Sequence, residues 1–230
     1  PERTDFELFA LLEPAREVGG DFYDFFFLDE ETETLYLVIG DVSDKGIGAA
    51  LFMAIARTLL RSLVQEKREP GELLNRLNDE LSRNNESCMF VTLFCAAVHL
   101  PSGACRYASG GHCPPMLLKP TGMLVFLNQA KGPVIGGMEG MNYTEGSCVL
   151  EAGDMLLLYT DGVTEAANKE EKLFGEERLE AALCKRCETG PEELLCELRE
   201  ELRGFVAGAE QSDDITMLAF RYCGFEKVLK

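Results

Sequence analysis

Apolar residues in this chain come in short unbroken runs. Residues 35–39 (LYLVI) and 155–159 (MLLLY) are the clearest. Each is apolar throughout, and each is followed within two positions by an aspartate beside a glycine, at Gly40-Asp41 and at Asp161-Gly162. A continuous run of this length predicts a strand covered on both faces. Further strands are predicted over 6–12, closed by Pro14, and over 25–28, 90–100, 104–108, 115–118, 123–127, 147–150 and 215–222. The polar cluster 29–34 reads as a hairpin turn. It sets Asp21, near the start of one strand, beside Asp41, just past the end of the next.

Two helices follow the first strands. Over 47–66, Ile47, Leu51, Ala54, Ile55, Thr58, Leu59 and Ser62 recur at helical spacing, as expected of a core or partner-helix face. Over 70–84, Pro70 stands in the first turn and Leu73, Leu74, Leu77 and Leu81 form the stripe. Two more helices are predicted at about 175–187 and 191–207, the latter with Leu195, Leu198, Leu202, Phe205 and Val206 on one face. Strands, helices, strands and helices again imply an α+β fold with antiparallel sheets rather than a parallel βαβ series. No internal repeat and no linker interrupts the 230 residues, so a single domain over 1–230 is expected.

Composition narrows the function. Net charge is −18, which argues against nucleic acid or an anionic membrane as partner. For a chain acting on phosphate, such acidity calls for bound cations. No apolar run approaches the ~20 residues of a membrane span, so a cytoplasmic domain without membrane insertion is expected. The first residue is Pro1, which suggests the C-terminal part of a longer regulatory protein with a sensor upstream. Nine scattered cysteines read as reduced thiols, and Cys184 and Cys187 form an isolated C-x-x-C.

Four carboxylate loci stand at strand ends: Asp21, Asp41, Asp161 and the pair Asp213/Asp214. Short rigid oxygen ligands suit Mg2+ or Mn2+. Like unit charges at ~4 Å repel by about 4 kcal/mol at an effective dielectric of 20, so a cluster of ionised aspartates needs cations between them. Singly, each aspartate is equally well read as a turn former.

Five motifs occur together: EVGGDFYD (17–24), GDVSDKG (40–46), SGGHCPP (109–115), YTDGVTE (159–165) followed by LFG (173–175), and SDDIT (212–216). In this order they closely resemble the PPM-type metal-dependent serine/threonine phosphatases, in the bacterial SpoIIE/RsbU-like branch. The resemblance implies an α-β-β-α sandwich of two antiparallel sheets flanked by helices. It implies two ions, Mn2+ or Mg2+, and hydrolysis of phosphoserine or phosphothreonine by metal-bound water without a phosphoenzyme. Asp41 matches the bridging ligand, with the Val42 carbonyl beside it. Asp21, Asp161 and Asp213 match further ligands, and Asp214 is the alternative to Asp213. Asp24, His112 and Arg16 are candidates for supporting or substrate-binding roles. The histidine that some relatives carry near the bridging aspartate is missing, because Val42, Ser43 and Asp44 follow Asp41. The implied substrate is a phosphorylated, STAS-like anti-sigma-factor antagonist in a partner-switching pathway. The helices at 47–66 and 70–84, with Leu51 and Leu59, are expected to be regulatory and to form a homodimer contact.

Overall fold

The computed structural model describes residues 3–28, 33–66, 69–83 and 85–224. Its centre follows from the run at 35–39. Strand β3 (Thr34–Val42) lies inside a sheet, and its side chains alternate between two cores. Leu35, Leu37 and Ile39 enter one apolar cluster, while Tyr36 and Val38 enter another. Both faces are covered, so no polar position interrupts the run.

That sheet has the order β2-β3-β4-β5-β8, with β2 (Phe22–Phe27), β4 (Val91–His99), β5 (Ala104–Gly110) and β8 (Glu145–Val149). The other has the order β1-β10-β9-β6-β7, with β1 (Phe6–Glu13), β6 (Met116–Leu118), β7 (Leu124–Phe126), β9 (Met155–Tyr159) and β10 (Ile215–Tyr222). All pairings are antiparallel. The sheets share a core in which Leu35, Leu37, Ile39 and Phe94 meet Leu156, Leu158, Leu218 and Phe220. Helices α1 (Ile47–Val64) and α2 (Pro70–Ser82) pack outside the β3 sheet. Helices α4 (Gly175–Cys184) and α5 (Pro191–Val206) pack outside the β10 sheet. The layers are α-β-β-α, as the motifs implied.

Several boundaries differ from the sequence reading. Strand β2 starts at Phe22 rather than residue 25, because Phe22 already pairs with Gly40. Strand β3 runs on through Asp41, which pairs with Thr92, so this aspartate lies in the ladder rather than beyond it. A one-turn helix α3 (Asp161–Thr164) was not foreseen. Helix α4 stops at Cys184, and all nine cysteines are free thiols. Part of the 29–34 turn, residues 29–32, lies outside the described residues.

The stripe on α1 is corrected most. The buried face consists of Ala49, Ala56, Leu60, Leu63 and Val64. Ile47, Leu51 and Ile55 are exposed, at 75%, 62% and 53%, so this stripe is not core of this chain. Leu59 belongs to the packed side, against the α1–α2 core. The 18 residues of α1 are long and apolar enough to cross a membrane by length and composition. Its Arg57 and Arg61 nevertheless ion-pair with Asp24, and its inner face lies on the sheet.

Candidate metal centre

The β2–β3 register sets Asp21 and Asp41 side by side at one end of their sheet, one step beyond the Phe22–Gly40 pair. Asp161 opens α3 directly after β9, and Asp213 lies just before β10. The two sheets thus each bring two aspartates to the same end of the sandwich.

Asp21 is buried, and the opposite sheet holds it. The hydroxyls of Thr160 and Thr216 both donate to its Oδ2, at 2.8 and 2.6 Å. Those threonines are themselves linked, since the Thr216 amide donates to Thr160 Oγ1 at 3.1 Å. The Asp41 carboxyl stands near enough for its charge to act on Asp21. Burial pushes the pKa of Asp21 upward, the threonine hydroxyls pull it back in part, and the Asp41 charge pushes it up again. Burial also raises Asp41, with Asp161 adding to the effect. Asp161 is raised by burial and then by Asp213. Glu165, one turn beyond, is raised by partial burial and by the same two aspartates. An assembly of carboxylates that resist ionisation is a site with a deficit of positive charge.

The Asp213/Asp214 alternative separates by contact. Asp214 turns inward and accepts the amides of Ala15, Gly20 and Asp21 at 2.8, 2.9 and 3.3 Å. It fastens the 15–21 loop, and two glycines make room for it. A Cβ on Gly19 would stand 2.0 Å from its Oδ2, and one on Gly162 would stand 1.9 Å from its carbonyl oxygen. The charge of Asp213 reaches Asp161, and Lys45 Nζ lies 2.9 Å from Asp213 Oδ1. The same ammonium contacts the Ser212 carbonyl.

The other candidates sit apart from this group. Asp24 is buried against α1. Arg57 Nε and Arg61 Nε donate to its Oδ2 at 3.0 and 2.7 Å, and Arg61 Nη2 to its Oδ1 at 2.5 Å. Arg61 also stacks on Phe26 at 4.5 Å. Asp24 therefore clamps helix to sheet. His112 Nε2 faces the Tyr159 carbonyl at 3.1 Å and must donate to it. Its Nδ1 then accepts from Thr92 Oγ1 at 2.9 Å, the residue paired with Asp41. Burial lowers the His112 pKa to about 4, so the ring is a neutral brace between β4 and β9. Arg16 is exposed on the loop after β1. Ser43 is pinned to Phe90, its amide donating at 2.9 Å and its Oγ accepting at 3.0 Å. Asp44 is exposed, with a left-handed φ of 67°.

A cleft of about 380 Å³ is lined by Asp41, Val42, Ser43, Lys45, Cys88 and Asp213. A second cavity, of about 350 Å³, opens on the other side of Asp213, between Gly162, Leu202, Arg203 and Val206. Oxygen-only donors with raised pKa values suit a hard divalent ion. As the side chains stand, however, no three His, Cys, Asp or Glu residues among those described close around a point as an ion's ligands.

Residues 31–222 match the family model described as Stage II sporulation protein E (SpoIIE). The chain belongs to the SpoIIE family. It is 34% identical to Protein IcfG of Synechocystis sp. (strain ATCC 27184 / PCC 6803 / Kazusa) over 246 residues, covering 95% of this chain and 38% of that protein. It is 33% identical to phosphoserine phosphatase RsbU of Bacillus subtilis (strain 168) over 165 residues, covering 72% of this chain and 48% of RsbU. The chain thus spans less than half of either curated relative. Among solved structures, the SiaA-PP2C domain of Pseudomonas aeruginosa superposes with a TM-score of 0.82 at 23% identity, covering 94% of this chain and 85% of that one. That likeness is one of fold. SpoIIE-family membership agrees with the order of the five motifs. Thr160, Thr216 and Lys45 lie inside those motifs, yet no role was read for them. A hydroxyl flanking an otherwise apolar strand was the available signal for the threonines.

Proposed function

We propose that this SpoIIE-family chain is a metal-dependent protein serine/threonine phosphatase. Convergence of Asp21, Asp41, Asp161 and Asp213 from two sheets is the observation that carries this reading. Asp41, the Val42 carbonyl, Asp21, Asp161 and Asp213 are the groups that would hold two ions, Mn2+ or Mg2+. Bound there, the ions would supply Lewis-acid polarisation of the phosphoryl group and lower the pKa of the attacking water.

The chain's own groups prepare that chemistry. Thr160 and Thr216 fix the rotamer of Asp21. Asp214 sets the loop that delivers Asp21, and His112 ties the Tyr159–Thr160 end of β9 to β4. The cavity beside Asp213 has room for residues flanking the phosphate.

The proposed substrate is a phosphorylated STAS-like anti-sigma-factor antagonist in a cytoplasmic partner-switching pathway. A sensor upstream and a homodimer through α1 and α2 complete the proposal. The exposed Ile47, Leu51 and Ile55 support the latter. The test is release of phosphate from a phosphoserine protein in Mn2+, comparing the parent with Asp41→Asn. Equal rates for the two, or no metal-dependent release by the parent, would sink the reading.

A further inference from the structure

The contact between Lys45 and Asp213 is unusual in its placement. Lys45 precedes α1 in the turn between Asp44, with φ of 67°, and Gly46, with φ of 90°. Two left-handed positions within three residues bend the chain sharply and aim Lys45 away from the helix it introduces. Its ammonium reaches the other sheet, touching Asp213 Oδ1 at 2.9 Å and the Ser212 carbonyl. Its charge also extends to Asp161. The side chain thus stands beside two of the carboxylates proposed to hold the ions.

Two further observations bear on this. Asp213 Oδ1, a proposed ion ligand, is already engaged by Lys45. In addition, α1 begins without a side-chain cap and without an acidic residue in its first turn, and its first apolar residue, Ile47, is exposed. Ser43 is tied down by Phe90, but the next contact tying this turn across the sandwich is Lys45.

We infer that Lys45 is a built-in counter-cation: it holds Asp213 until a divalent ion takes its place, and its displacement frees the turn that starts α1. This rests on the metal-centre reading above and adds the means by which occupancy is communicated to a helix. An ammonium and a divalent ion on one carboxylate repel each other, so the two states exclude one another. Both partners are about one-third exposed, so the contact is a weak latch that a modest push can open. By linkage, anything that pulls the start of α1 away from Ser212 favours the ion, and the ion favours that movement equally.

The experiment pairs calorimetric titration of Mn2+ with hydrogen exchange at the amides of 46–50, for the parent and Lys45→Met. In the parent, exchange at 46–50 is expected to speed up when Mn2+ is added. Metal-free Lys45→Met should already exchange at the metal-loaded rate, and it should bind Mn2+ about fivefold more tightly. Tighter binding with parent-like exchange in the metal-free variant would be long-range charge alone and would overturn the latch. So would parent-like affinity, or exchange in the parent that ignores Mn2+. A parent that binds no Mn2+ removes the metal-centre reading itself, and the latch with it.

Discussion

Thr216 donates to Asp21 Oδ2 at 2.6 Å across 195 residues of chain, joining the two sheets at a buried carboxylate. Removing that hydroxyl frees the rotamer of Asp21 and takes away a contact that holds its pKa down. Loss of such an outer partner weakens metal affinity by about 10- to 100-fold. Thr216→Val should show this in a Mn2+ titration, while Thr216→Ser stays near the parent. Equal affinity for Val and the parent would mean that Thr160 alone orients Asp21.

Stability should depend on pH in opposite ways with and without metal. Asp21, Asp41 and Asp161 have folded pKa values above the ordinary 3.8, with burial as the leading cause. A raised folded pKa gives stability that is complete below 3.8 and is lost as pH rises through the folded value. In chelator, Tm should therefore fall from about pH 4 to about pH 8, and fall less in Asp41→Asn. In excess Mn2+ the ion replaces the protons, and the gain in Tm should grow over the same range. A metal-induced gain that shrinks with pH would contradict this.

His112 acts in a lower window. Its folded pKa of about 4 lies below the unfolded 6.5, so the unfolded chain binds the proton first. Stability from the neutral ring is present above 6.5 and lost as pH falls toward 4, by up to about 3 kcal/mol. His112→Gln should be less stable than the parent at neutral pH yet lose less on acidification. Urea melts at a series of pH values would show it, and parallel curves would refute a buried neutral ring.

Asp24 predicts a third pattern. Burial raises its pKa, but the hydrogen bonds from Arg61 and then Arg57 outweigh this and leave it lowered. Its contribution is present above the unfolded carboxylate value and lost as pH falls through the lower folded one. Both arginines are about half exposed, so Asp24→Asn should cost only about 1 kcal/mol at neutral pH. The gap should close in acid, as measured by denaturant melts.

The open face of α1 gives the last. Leu51→Glu changes a 62% exposed side chain and should leave Tm within a degree or two of the parent. If α1 pairs two copies, sedimentation should show the variant as a monomer where the parent is a dimer. Leu59→Glu should instead lower Tm, because Leu59 packs on the core.

The sequence showed the aspartates and both sheets because these signals are local. A strand covered on both faces announces itself in five residues, and an aspartate beside a glycine marks its end. What stayed hidden is long in range. Thr160 meets Asp21 over 139 positions, and Lys45 meets Ser212 over 167. No periodicity encodes such pairs, which depend on how one sheet lies on the other. The α1 stripe misled for a related reason. Spacing shows that a helix has an apolar face, but not whether this chain covers it.

Strand β10 inserts between β1 and β9, although it is the last strand along the described chain. Phe6 pairs with Tyr222 there, so the sheet closes only when early and late segments meet. Asp213 and Thr216 arrive with that same strand. A chain still emerging from the ribosome therefore carries Asp21 and Asp41 long before it has their counterparts. Docking of β10 therefore closes its sheet and brings Asp213 and Thr216 to Asp21 and Asp41 in a single step.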